Sequence, residues 1–380
     1  MRVLYISEVQ WRSQVSRKHQ MVRRFPADWE VLFLSPANLA RGENSLRLRS
    51  VRVPARVEYA SVLLPKPDSE VALLRSLTPA LMSAGGVRVM NHVRRFAPDV
   101  VVCSYLWAAP LIGDIRAMGI PVVYDLNDLH PQFYPAARDE AEQMFRKLLD
   151  GATEVVASSG ALHKAAGRGV VIGNGVDLDT FRGREEGVRP EELTTGPTGD
   201  WKRLVMYVGS VDERLDLNVL RRTLETLASD TTGAGVALVG RVFDQVRGDI
   251  RSIEAAFPEH VHLTGRVPYP KLPALMSHAD VGIAPFVLNP KTEAINPNKL
   301  YMYAAMDMNI VSTPFSDDIL RHDDVIRIAS SPADFASAVQ SAIGDDERRR
   351  SLRERIALPN SWAERAEEFT RLLSGLAQGD

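Results

Sequence analysis

Short runs of β-branched and other apolar residues recur along this chain, and most are followed by a stretch with helical spacing. In the first half the runs are residues 2–7, 29–35, 48–56, 99–103, 122–125, 154–158 and 170–173. In the second half they are 203–209, 236–240, 261–265, 281–285, 309–312 and 325–328. Apolar runs this short, with little polar alternation, suit strands buried on both faces, and helices between them suit parallel crossovers. The chain is therefore predicted to be α/β, with two doubly wound, Rossmann-like sheets. A length of 380 residues fits two such domains. The first is placed at 1–180 and the second at 201–358. A polar, Gly/Pro-containing linker at 181–200 joins them, and a helix at 359–380 crosses back to the first. Helical spacing is read at 16–25, at 68–96 with an interruption at Gly85-Gly86, at 218–228 and at 271–278. Ser361 caps the closing helix, with Glu364 in capping-box position. In sheets of this kind ligands sit beyond the carboxyl ends of the strands, here in a cleft between the domains.

One motif falls at such an end. Asn296-Pro297-Asn298-Lys299-Leu300-Tyr301-Met302-Tyr303 opens an apolar helix that feeds the run at 309–312. A helix start offers unpaired N–H groups and partial positive charge, and Lys299 adds a full charge beside them. That combination suits a diphosphate. Asn296 or Asn298 is expected to cap the helix, with Pro297 in its first turn. The alternative is a capped amphipathic helix whose lysine is solvated.

Composition narrows the class. Hydrophobic residues are 45% and charged residues 25%, as in an ordinary soluble globular protein. The single cysteine, Cys103, excludes an internal disulfide framework and a cysteine-rich metal site, and it is expected to be buried. No apolar stretch approaches a membrane span, and residues 1–6 read as a strand rather than a secretory signal. A cytoplasmic protein is expected. Net charge is −2, yet residues 1–184 carry about +6 and the remainder about −8. The basic excess at 17–25 and 88–95 has three readings: a solvated helix face, a peripheral contact with the inner face of a membrane, or a polyanionic acceptor. No nucleic-acid motif accompanies it.

The pieces occur in the order of a GT-B glycosyltransferase. Residues 171–177 with Phe181 resemble the hinge motif, and Tyr207-Val208-Gly209-Ser210 resembles the first strand of the donor domain. Leu238-Val239-Gly240 and Leu263-Thr264-Gly265-Arg266 resemble later strand ends around the nucleotide. Residues 279–286 lead into the lysine motif, and Ser361-Trp362 resembles the closing helix. The chain resembles the family-4-like bacterial enzymes with an Asn-Pro-x-Lys-Leu-Tyr-Glu-Tyr motif. It is also similar to the xanthan glucuronosyltransferase through a Tyr-x-x-x-Asp segment. Retaining relatives carry two glutamates eight residues apart; here those positions are Ala294 and Met302, and Glu293 is one residue off register.

The resemblance implies transfer of a sugar from a nucleotide-diphosphate sugar, UDP first among the bases, to a hydroxyl of a glycan, lipid-linked or small-molecule acceptor. It implies no cofactor and no required metal. Lys299 and the backbone near Asn298 are the leading diphosphate contacts, with Leu300 and Met302 on the same helix. Arg214 and Arg241 are secondary, with surface salt bridges as their alternative. Gly209 and Ser210 would let the backbone approach the phosphates, and Gly265 and Arg266 would meet the base. On the acceptor side, Asp128 is the candidate general base of an inverting reaction and His130 its rival; Asp125 is read as structural. Trp11, His19, Trp107 and Asn127 are acceptor-binding candidates, the two tryptophans having core packing as their alternative. A sugar-nucleotide epimerase and a non-enzymatic scaffold of the same fold remain as alternatives.

Overall fold

The computed structural model describes residues 1–12, 15–37, 48–62, 72–184, 187–194 and 201–379, with the backbone alone over 72–83. The chain forms two compact units, Met1–Gly173 with Trp362–Asp380, and Asn174–Ser361.

Among the described residues the first unit holds an eight-stranded sheet. Its strands are β1 (Arg2–Ile6), β2 (Glu30–Pro36), β3 (Arg49–Arg52), β4 (Arg56–Val62), β5 (Val100–Cys103), β6 (Val122–Leu126), β7 (Glu154–Ala157) and β8 (Val170–Val171). They lie in the order β3-β4-β2-β1-β5-β6-β7-β8, parallel throughout except that β3 runs antiparallel to β4. The order reverses between β1 and β5, which makes the loops after those strands the place where a doubly wound sheet receives a ligand.

Among the described residues the second unit holds a six-stranded parallel sheet: β9 (Arg203–Val208), β10 (Ala234–Val239), β11 (Val261–Gly265), β12 (Val281–Ala284), β13 (Asn309–Ser312) and β14 (Arg327–Ile328). Their order is β11-β10-β9-β12-β13-β14, so the reversal falls between β9 and β12. The expected doubly wound α/β architecture is present in both units.

Three expectations need correction. The run at 48–56 is not one strand. It turns at Val53, whose N–H bonds Ala55 O at 3.0 Å, and returns as β4, whose Arg56 and Glu58 hid it as a buried run. The helix Ala72–Phe96 passes unbroken through Gly85-Gly86. A Cβ on Gly86 would lie 3.0 Å from Leu111 Cδ2, so the glycine serves close packing rather than a break. The passage between units is at Gly173/Asn174, not across 181–200. Phe181 and Leu193 are fully buried in the second unit's core, and Arg184 donates to Ser277 O and Ala279 O at 3.0 and 2.9 Å. A polar sequence there reads as linker, yet its few apolar residues anchor it.

The closing helix begins at Trp362 and belongs to the first unit. Trp362, Ala366, Phe369 and Leu373 form its buried stripe, and Phe369 stacks on Phe25 at 6.3 Å.

Candidate functional site

The lysine motif folds as the helix Asn298–Ala305. Pro297 itself occupies the cap position, with no side-chain cap bond, and Asn298 is the first helical residue. The expected asparagine cap is absent because Asn296 is otherwise engaged. Its Oδ1 accepts from Asn174 N–H and Tyr301 O–H, both at 3.0 Å, and its carbonyl accepts from Asn174 Nδ2 at 2.7 Å. A helix start without a side-chain cap leaves first-turn N–H groups open to a ligand. Asn298 is exposed at this start, while Leu300 and Met302 point into the core.

Tyr303 fixes how this helix sits. Its hydroxyl accepts from Val208 N–H at 2.8 Å and donates to Ile283 O at 3.2 Å, joining the helix to the ends of β9 and β12. Gly282 makes room for it: a Cβ there would lie 2.5 Å from the Tyr303 ring. Lys299 is consequently held inward, 8% exposed. Its Nζ lies 3.9 Å from the Tyr207 ring centre and 4.0 Å from that of Phe286. Gly209, at φ 142°, leaves that ammonium clear, since a Cβ there would stand 3.4 Å from Nζ. No hydrogen-bond acceptor or carboxylate within salt-bridge range meets Lys299 among the described residues. Burial, then the Arg214 guanidinium, push its pKa well below the ordinary lysine value, against a smaller pull from Asp212. The solvated-lysine alternative does not hold here.

Arg214 is half-buried and fixed by Asp212, with Nε to Oδ1 at 2.8 Å. Ser210 O accepts from Tyr207 O–H at 2.7 Å. Gly240 lies against Gly209: a Cβ on it would fall 1.9 Å from Gly209 O. Thus Lys299, Arg214, Gly209 and Ser210 come together at the sheet's reversal. Arg241 is exposed and lies 4.7 Å over the Phe243 ring. Gly265, at φ 69°, ends the edge strand β11 beside exposed Arg266. Sequence reasoning missed Tyr207 and Phe286 as the lysine's box and Asp212 as the arginine's clamp. Tyr207 and Phe286 sit at the ends of apolar runs, which was the available signal.

In the first unit the loops after β1, β5 and β6 hold a buried polar cluster. Asp125 accepts from Tyr5 O–H at 2.6 Å and pairs with Arg17 Nε at 3.0 Å, so its structural reading matches its surroundings. Arg17 also donates to Gly173 O at 2.7 Å. Lys18 pairs with Glu8, whose other oxygen accepts from Ser104 Oγ at 2.8 Å. Burial works to raise the Glu8 carboxyl, but the Lys18 ammonium and His130 together outweigh it and hold it below its usual range. The basic run 17–25 thus turns Arg17 and Lys18 inward, which removes them from any membrane-facing surface. Among the described residues no helix is long and apolar enough to cross a membrane.

His19 is buried too. Its Nδ1 accepts from Ser16 N–H at 3.2 Å and its Nε2 meets Gln10 O at 3.1 Å, so it closes the helix start rather than facing a ligand. Trp11 packs on His19, Phe33 and Tyr59. Trp107 is 4% exposed, packs edge-on against Tyr134 at 5.2 Å, and its buried Nε1 has no partner among the described residues. Asn127 donates to Asp128 Oδ2 at 3.1 Å, while its own Oδ1 is buried without a partner among the described residues. Asp128 is half-buried, and the turn His130–Phe133 after it has Leu129 at its cap position and no side-chain cap bond. His130 is buried and bonded through Nδ1 to Tyr124 O–H at 3.0 Å.

Residues 214–371 match the profile of a family described as glycosyl transferase-like. The whole fold matches sucrose-phosphate synthase of Thermosynechococcus elongatus, with a TM-score of 0.75, 14% identity and full coverage of both chains. The fold is that of the GT-B glycosyltransferases. An E. coli trehalose-6-phosphate structure bound with UDP-2-fluoro glucose matches at a TM-score of 0.72 and 12% identity, over 100% of this chain and 99% of that one. In sequence, the chain is 25% identical over 314 residues to TuaH of Bacillus subtilis strain 168, described as a teichuronic acid biosynthesis glycosyltransferase. That similarity covers 76% of this chain and 72% of TuaH.

Proposed function

We propose that this glycosyltransferase-like chain transfers a sugar from a nucleotide-diphosphate sugar, with UDP as the nucleotide, to a hydroxyl of a glycan or lipid-linked acceptor in cell-surface polysaccharide assembly. The observation that carries the reading is Lys299: a buried ammonium without an acceptor among the described residues, at an uncapped helix start, beside a glycine that leaves it open. A buried charge without a partner is costly, and a diphosphate would supply the missing anion. Arg214 stands ready as a second cation. The relatives' names, a UDP-sugar complex and polysaccharide synthesis among them, support the substrate class.

In this reading the bond from the sugar's anomeric carbon to the diphosphate breaks as the acceptor oxygen bonds that carbon from the opposite face. Lys299, Arg214 and the helix N–H groups stabilise the charge that develops on the departing diphosphate, work that a metal does in other transferases. Asp128 takes the acceptor proton. The absence of a glutamate at Met302 agrees with inversion.

A thermal-shift panel of UDP, GDP, dTDP, ADP and CDP on wild type and Lys299→Met tests this. UDP at a hundred times its dissociation constant is expected to stabilise wild type by about 2.7 kcal/mol and leave the variant unmoved. No shift in wild type with any nucleotide would overturn the donor assignment and favour a scaffold role.

A further inference from the structure

Tyr124 and His130 are hydrogen-bonded to each other, and their protons can be placed. Tyr124 is fully buried at the end of β6, and its hydroxyl lies 3.0 Å from His130 Nδ1. Burial raises the phenol well above its ordinary value, so it keeps its proton. That proton has one acceptor among the described residues, His130 Nδ1. Burial also lowers His130 to about 4; Glu8 and Asp125 pull it up and Lys18 pushes it down, so the ring is neutral near pH 7. A neutral imidazole accepts at one nitrogen and donates at the other. The reverse arrangement, with Nδ1 donating to the phenol oxygen, would strand a buried O–H without an acceptor. The ring proton therefore sits on Nε2, and no acceptor meets it among the described residues. Glu8, the leading charge partner of His130, accepts from Lys18 and Ser104 and makes no hydrogen bond to the ring among the described residues.

We propose that Tyr124 fixes His130 as its Nε2–H tautomer, so that His130 donates a hydrogen bond to an oxygen of the acceptor substrate and orients it rather than deprotonating it. This rests on the reading that the loop after β6 receives the acceptor. It leaves Asp128 as the base and selects for acceptors that present an oxygen, whether hydroxyl, carboxylate or phosphate. Tyr124 is then a positioning residue, acting only through the imidazole.

The full chain labelled with 15N-histidine tests the tautomer directly. Long-range proton–nitrogen correlation, with the His130 signals identified by their loss in His130→Gln, is expected to show the Nε2-protonated pattern at pH 7, unchanged at pH 5.5. In Tyr124→Phe the ring is expected to become a tautomer mixture. An Nδ1-protonated or cationic ring in wild type at pH 7 would overturn the proposal, and that spectrum needs no substitution at Tyr124. The role is read with the nucleotide sugar that the thermal panel selects. As a donor, His130→Ala raises acceptor KM about tenfold with kcat little changed, and His130→Gln, which restores an N–H, recovers most of the loss. As a base, both variants would lose about a hundredfold or more in kcat alike. The ring spectrum is read without any donor, whereas failure of the transfer reading shows as a missing nucleotide shift in wild type.

Discussion

Lys299 carries a stability cost that the proposed diphosphate would relieve. The aromatic faces of Tyr207 and Phe286 offset part of its desolvation, as cation–π contacts do, but among the described residues no anion pairs with it and Asp212 exerts only a smaller pull. Lys299→Met keeps the bulk and removes the charge. It is expected to raise the stability of the ligand-free protein by about 1–3 kcal/mol at neutral pH, as replacement of buried charges by apolar side chains often does. A lower midpoint in the variant would sink this reading. The pH dependence has a definite sign. Because the folded pKa is depressed, the unfolded chain holds this proton over the window between the folded value and the ordinary one near 10.4. Stability rises with pH across that window in wild type, and the contribution is missing in Lys299→Met. Denaturation midpoints from pH 7 to 10 measure both.

The helix that presents Lys299 is set by a single hydroxyl and a single missing methyl. Gly282→Ala would drive a Cβ into the Tyr303 ring. Overpacking of this kind costs about 1–3 kcal/mol, and the displaced helix start is expected to weaken nucleotide binding as well. Tyr303→Phe leaves the Val208 N–H unpaired, at a cost of about 1–3 kcal/mol. If either variant kept full nucleotide affinity, the helix would not owe its placement to this contact; calorimetric titration with the selected nucleotide decides. This element also shows what a sequence can carry. The alternation of strand and helix, the lysine's place on a helix start and the stripe on the closing helix are local patterns, and they were legible. The partners were not. Arg17 looked like surface charge because Asp125, which buries it, lies 108 residues away. Lys18 is matched by Glu8 across a loop, and Asn296 gave up capping for Asn174, 122 residues distant. Pairing across a sheet decides which charges turn inward, and no periodicity encodes it.

Across the whole molecule the titrating groups are unequally shared, and acid is expected to strike the first unit harder. Burial, the dominant cause for both, lowers His19 and His130 to about 4. The unfolded chain takes up their protons near pH 6.5, so stability falls as pH drops from there toward 4. A shift of this size is worth about 3 kcal/mol per histidine once the fall is complete. Glu8, held below its usual range, adds a loss of the same sign at lower pH. In the second unit the balance is mixed. His278 and His322 are lowered by burial and lose stability in acid, but Asp307 and Asp318 are raised by burial and gain it there. Hydrogen-exchange protection at pH 7 and pH 5 resolves the two sheets separately. Protection of β1, β5 and β6 is expected to fall more than that of β9, β10 and β12, and His19→Gln to reduce the difference. A larger loss in the second sheet would mean that its carboxylates do not compensate its histidines, and that burial alone does not rank the two units.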